Sequence, residues 1–172
     1  MLHGLDQRVR TLLTIGVLAL LLLAGAAWGW SAVTKPFPGA VDTPVCTDVE
    51  VEAGSKLFAD QVVVSVLNAS GREGLAGRSM QLLTDDGFVA GDTGNAARGT
   101  RVDYAQVWTD GPANPAVRLL ARRLGPDTRV VRRESDYPGV TVVVGDRFQE
   151  LAGPDRTSIR VGRDSVVCSP PD

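Results

Sequence analysis

From Thr11 to Val33 the chain runs 23 residues without a charged side chain. A helix of roughly 20 apolar residues crosses the hydrocarbon core of a bilayer, where only internally paired backbone is stable. Leu12, Leu13, Leu18 and Leu20 to Leu23 fill the centre of this stretch. Trp28 and Trp30 fall where amphipathic rings sit at a membrane–water interface. The preceding head, residues 1–10, holds Arg8, Arg10 and the only histidine, His3. Positive residues stay on the cytoplasmic side, so the head is expected inside and everything after Lys35 outside. That makes the chain a single-pass protein of the cell membrane. The competing reading is a cleaved signal peptide, because Ala24-Gly25-Ala26 offers an A-x-A site after a leucine-rich core. The apolar run continues past that site through both tryptophans, which favours a retained anchor over residues 11–33.

Beyond the anchor, the remaining length suits one domain. Residues 34–59 read as an extracytoplasmic spacer and arm, residues 60–150 as the folded domain, and residues 151–172 as a tail. Thr34 to Pro44 is rich in proline and glycine, the composition of a short semi-rigid spacer. Val45 to Glu52 alternates valines with Asp48, Glu50 and Glu52, which fits either an edge strand with one wet face or an acidic arm.

The folded part starts from Val62 to Ala90. Val62, Val63, Val64 and Val66 form a near-continuous β-branched run, the pattern of a strand covered on both faces. Ser70 and Glu73 stand at the S-x-x-E spacing of a capping box, in which each side chain satisfies a free amide of the first helical turn. The helix that follows would place Leu75, Ala76, Met80, Leu82 and Leu83 on one flank. Gly87 is placed to stop it in a left-handed conformation, and Phe88 and Val89 open a second strand. GDTGNAARGT, residues 91–100, reads as a loop. Val102 to Thr109 is a strand by residue type. Asn114 caps the next helix, Pro115 suits its first turn, and Val117, Leu120, Ala121 and Leu124 keep helical spacing up to Gly125. Thr128 to Val131 and Val140 to Val144 read as strands, with another candidate at Ser158 to Val161. The order β-α-β-β-α-β predicts an α+β two-layer sandwich, an open sheet with both helices on one face.

These same residues carry a likeness. VVVSVLNASGREGLAGRSMQLLTDDGF, residues 62–88, resembles the start of the LytR C-terminal domain, an extracytoplasmic module of cell-envelope proteins in Gram-positive bacteria. The matching features are the valine-rich strand, Val66-Leu67-Asn68, the Ser70-Gly71 turn, Gly74-Leu75-Ala76 and Gly87-Phe88. The likeness extends more loosely to about Phe148, and it implies the same α+β class. It brings no catalytic residues that carry over to this chain. In LytR-type proteins the module follows a phosphotransferase domain that ligates polymers to the wall. No such domain stands here, so ligase activity is not implied.

Two cysteines, Cys46 and Cys168, lie on the same side of the apolar stretch. If that side is extracytoplasmic they share an oxidising compartment, and an intramolecular disulfide is the expected state. The alternative is two free or intermolecular thiols. The bond would tie the tail back to the arm.

The chemistry of the chain narrows its function. With His3 on the head, the external part has no histidine for Ser-His-Asp or Cys-His catalysis or for most zinc sites. Lys35 and Lys56, the only lysines, fall in no S-x-x-K pattern. Asp85 and Asp86 are a formal carboxylate pair, and they read as solvated helix-end residues. Gly71, Gly74 and Gly77 sit at a strand–helix junction without the spacing or the lysine of a phosphate loop. We read them as capping and close helix–sheet packing. A net charge of −2 implies no general attraction to nucleic acid. Two surfaces are candidate ligand-binding sites. Arg118 and Arg122, one helical turn apart in an arginine-crowded stretch, suit anionic headgroups or a phosphate-bearing polymer, although a solvated helix face is the simpler reading. Tyr104 and Trp108, on one face of a strand, suit sugars, although such residues are more often core.

The expectation is a non-catalytic, membrane-anchored extracytoplasmic protein without metal or cofactor. It would bind or scaffold an envelope protein or wall polymer, and so contribute to envelope integrity. The alternative is a module that binds a cell-wall glycan, peptidoglycan or an arabinogalactan-type polymer. A small hydrolase or transferase would rest on carboxylates alone. The sequence leaves the oligomeric state open.

Overall fold

The computed structural model describes residues 7–34 and 45–171, which belong to two separate compact units. The expected cytoplasmic head and most of the spacer lie outside the described residues. The first unit is helix α1 (Gln7–Thr34). Within it Val9–Trp30, 22 residues, is long and apolar enough to cross a membrane. At 1.5 Å per residue that is about 33 Å, against a hydrocarbon core of about 30 Å.

The second unit contains β1 (Thr47–Val51), β2 (Lys56–Phe58), β3 (Val63–Asn68), α2 (Leu75–Asp85), β4 (Val89–Asn95), β5 (Ala105–Thr109), α3 (Pro115–Leu124), β6 (Thr128–Arg132), β7 (Val140–Val144), β8 (Ser158–Arg160) and β9 (Ser165–Ser169). Its fold is mixed α+β. Five strands form one sheet in the order β4-β3-β7-β5-β6. β3 runs parallel to both β4 and β7, β5 runs parallel to β6, and β5 and β7 are antiparallel. The order along this layer is β-α-β-β-α-β-β, one strand more than the expected pattern, with β7 in the middle of the sheet.

Both helices lie on one face, as the periodicity predicts. Leu75, Met80 and Leu83 of α2 and Val117, Leu120 and Leu124 of α3 bury against Val64, Val66, Val107, Val142 and Val144. β3 is a valine run because the other face is also covered. There Leu67, Val143 and Trp108 pack beneath Val102 and Tyr137 from two loops. Among the described residues every core residue falls between Leu57 and Val167, so this unit carries its own core and its own disulfide and meets the physical requirements for folding alone.

Four readings are corrected. The capping box does not form: α2 begins at Leu75 with Gly74 as its N-cap, at φ +68°, and no side chain caps it. Ser70 instead sits in a local turn, its Oγ accepting from Arg72 N–H (3.0 Å) and its own N–H donating to Asn68 Oδ1 (2.8 Å). Glu73 contributes its carbonyl to Arg78 Nη2 (2.9 Å). Short polar side chains offer the backbone such turns in place of a helix start. The close helix–sheet packing assigned to the glycines is absent, since a β-carbon on Gly71 or Gly77 would meet nothing within 4 Å.

The other two corrections concern strands. Residues 91–95 are strand, not loop. The β3–β4 register slips between Val64 and Val66, and Ser65 Oγ accepts from Asp92 N–H (3.0 Å) at this irregularity. The irregularity and two glycines hide the period of two. β5 starts at Ala105, three residues later than expected. Val102 still buries, but from a loop across the opposite face.

Two antiparallel ribbons flank the sheet. β1 pairs with β9, so the alternating segment after Val45 is a strand, and β2 pairs with β8. Cys46 and Cys168 form a disulfide at the end of the first ribbon.

Candidate binding groove

Because β5 and β7 are antiparallel neighbours, the carboxyl end of β7 and the amino end of β5 open at the same end of the sheet. The loops there are stitched together. Gly145 N–H donates to the Tyr104 carbonyl (2.8 Å), and Arg147 N–H donates to the Asp103 carbonyl (2.9 Å). A β-carbon on Gly145 would collide with the Val102 carbonyl, so only glycine allows this approach. The turn after β3 joins them. Gly71 N–H donates to Asp146 Oδ1 (3.2 Å), and Arg72 Nη1 donates to the carbonyls of Asp146 (3.2 Å) and Phe148 (2.7 Å).

Between these loops lies a groove of about 610 Å³. Arg101, Arg129 and Arg147 line it together with Asp103, Asp127 and Asp146, around Tyr104 and Gln106. The size is within the usual range of small-molecule sites, but the lining is far more polar than most. Positive and negative groups balance. The one ion pair among them, Arg147 with Asp103, reaches only 4.0 Å with both side chains well exposed. Such a wall offers both donors and acceptors. It suits a neutral polyhydroxylated or zwitterionic group better than a strongly charged or apolar one, since burying these charges against hydrocarbon is costly.

Tyr104 is among the lining residues. Its hydroxyl donates to the Leu124 carbonyl (2.8 Å), with the Glu150 carbonyl at 3.1 Å, and its ring packs on Phe148 at 5.3 Å. Burial raises its pKa above the ordinary phenol value, and the charges of Asp127 and Glu150 add to the shift.

The expected candidate residues are not brought together. Tyr104 and Trp108 do not share a face. Tyr104 precedes β5 and turns to the helix side, while Trp108 lies on the opposite face, nearly buried under Arg133, whose guanidinium carbon is 4.0 Å from the ring centre. Trp108 Nε1 donates to Gln106 Oε1 (3.0 Å). Arg118 and Arg122 are exposed on α3, away from the groove lining. The groove residues Arg101, Asp103, Asp146 and Arg147 carry no signal in the sequence because they sit on turns, where no periodicity marks them.

A mixed sheet with two helices on one face and loops sealing the other defines the class: a small α+β module. Residues 61–148 match the LytR cell envelope-related transcriptional attenuator family, and the chain belongs to that family. It is also similar to the soluble domain of a conserved hypothetical secreted protein from Mycobacterium marinum, known from a crystal structure. The two are 28% identical with a TM-score of 0.46, over 65% of this chain and 79% of that one. No curated protein matches the chain.

Proposed function

We propose that this chain is a single-pass membrane protein whose second unit lies outside the cytoplasm and binds an envelope component, holding it without chemistry and so supporting envelope integrity. The observation that carries this reading is the Cys46–Cys168 disulfide, which belongs to an oxidising compartment and pairs both cysteines of the chain. It agrees with the arginines preceding the apolar helix and with membership of a cell-envelope family. The division into head, anchor, spacer with arm, domain and tail follows from the same topology.

A wall glycan is the second reading, and the balanced polar lining of the groove favours it. The test is retention of residues 44–172 on purified wall material. Binding that is lost in an Arg101→Gln/Arg129→Gln variant supports the glycan reading. Capture of envelope proteins alone, by crosslinking in intact cells, supports the scaffold reading. Unchanged antibiotic and detergent sensitivity in a clean deletion, with neither kind of capture, contradicts both.

A further inference from the structure

The fold packs together two stretches that are distant in the chain. Residues 113–124 hold Arg118, Arg122 and Arg123 with no carboxylate, and residues 156–163 hold Arg156, Arg160 and Arg163 with none. β8 and β9 lie against α3, and Asn114 Nδ2 donates to the Val166 carbonyl (2.8 Å). The two stretches together carry six positive charges in a chain of net −2, which leaves −8 for the rest.

Two of the six have partners. Arg123 pairs with Asp86, and Arg160 donates to the Gly54 carbonyl (2.9 Å), a neutral acceptor that leaves its charge uncompensated. Arg118 and Arg163 line a depression of about 340 Å³ whose remaining walls, Ala113, Pro115, Gly162 and Ser165, include no acid. Asp164 is committed elsewhere, its Oδ1 accepting from Ala53 N–H (2.7 Å). The Arg118 guanidinium lies beside Gly162, its Nη1 3.9 Å from where a β-carbon on that glycine would stand.

We propose that this seam between α3 and the β8–β9 segment docks on an anionic phospholipid surface, with Arg118 and Arg163 taking lipid phosphates. Guanidinium groups pair with phosphate oxygens in a fixed fork, and a depression with two of them and no carboxylate selects anions over neutral ligands. A lipid surface is the occupant because the chain carries a helix able to span one, so each domain is tethered beside headgroups at high effective concentration. That choice rests on the anchored reading above.

The test is co-sedimentation of residues 44–172 with vesicles, which reads this face alone. The protein is expected to bind phosphatidylcholine vesicles containing phosphatidylglycerol and not pure phosphatidylcholine. Arg118→Gln/Arg163→Gln should weaken binding about twenty-fivefold, from about fivefold per arginine at an anionic surface, with an unchanged melting temperature. Arg101→Gln/Arg129→Gln should leave binding intact. Failure to bind the anionic vesicles, equal loss in both variants, or displacement by inorganic phosphate at matched ionic strength would overturn the proposal. None of these outcomes bears on which side of the membrane the domain occupies.

Discussion

Arg123 and Asp86 join the carboxyl ends of the two helices, Nε to Oδ2 at 2.5 Å, with side chains only 14% and 8% exposed. The guanidinium also donates to the Gly153 carbonyl (2.8 Å), which draws the start of the tail into the same knot. Asp86 and burial act in opposite directions on Arg123, and its pKa is raised because the Asp86 hydrogen bond outweighs desolvation. Removing one partner of a nearly buried pair strands the other charge. Asp86→Ala should therefore cost about 3 kcal/mol in chemical denaturation. A double-mutant cycle with Arg123→Ala should return a coupling above about 1 kcal/mol; additive effects would show that the pair is incidental.

The disulfide closes a sequence separation of 122 residues. Chain entropy sets its contribution at up to about 5 kcal/mol, and measured values are commonly smaller. Cys46→Ser/Cys168→Ser should lower stability by about 2–4 kcal/mol and leave the five-stranded sheet intact. Amide exchange should accelerate first in Thr47–Val51 and Ser165–Ser169, whose only strand partners are each other. Uniform acceleration across β3 and β7 would contradict this.

Two glycines should respond in opposite ways. Gly77 lies on the exposed flank of α2 with open space where a methyl group would stand, so Gly77→Ala should stabilise by about 0.5–1 kcal/mol. Gly145→Ala drives a methyl into the Val102 carbonyl and should cost about 1–3 kcal/mol. Thermal melts of the two variants decide it, and a loss at Gly77 would restore a packing role for that glycine.

Tyr104 gives a pH signature. Its folded-state pKa lies above the unfolded value of about 10, so its contribution is fully present below that pH and is lost as pH rises through the folded pKa. In a Tyr137→Phe background, the remaining phenol should titrate above the ordinary value, and denaturation midpoints should fall at alkaline pH. A phenol titrating normally would place Tyr104 in solvent.

The elements legible in the sequence are those whose burial follows a period. β3, β7, both helices, the Asn114 cap and the Gly125 stop all announce themselves because one or both faces meet the core. Sequence reasoning fails where tertiary contacts decide the backbone. Ser65 holds the irregular edge strand at Asp92, and that interaction bridges segments far apart in the chain. Ser70 and Glu73 have the spacing of a capping box, yet Asn68 claims the turn first through its bonds to Ser70 and to the Arg72 carbonyl (2.7 Å). Tyr104 and Trp108 differ by four in number, but Tyr104 lies before the strand begins and so does not follow its alternation. The ribbon strand Ser165–Ser169 leaves no local trace because it exists only against β1. The groove is invisible for a related reason: its charged residues come from separate turns and share no local pattern.

The envelope role proposed for this chain depends on where its second unit resides. The most direct measurement fuses alkaline phosphatase, active only outside the cytoplasm, and separately a cytosol-dependent reporter, after Asp172 in living cells. The account predicts phosphatase activity, a silent cytosolic reporter and full protection of Cys46 and Cys168 from thiol labelling. An active cytosolic reporter with both thiols free would contradict it.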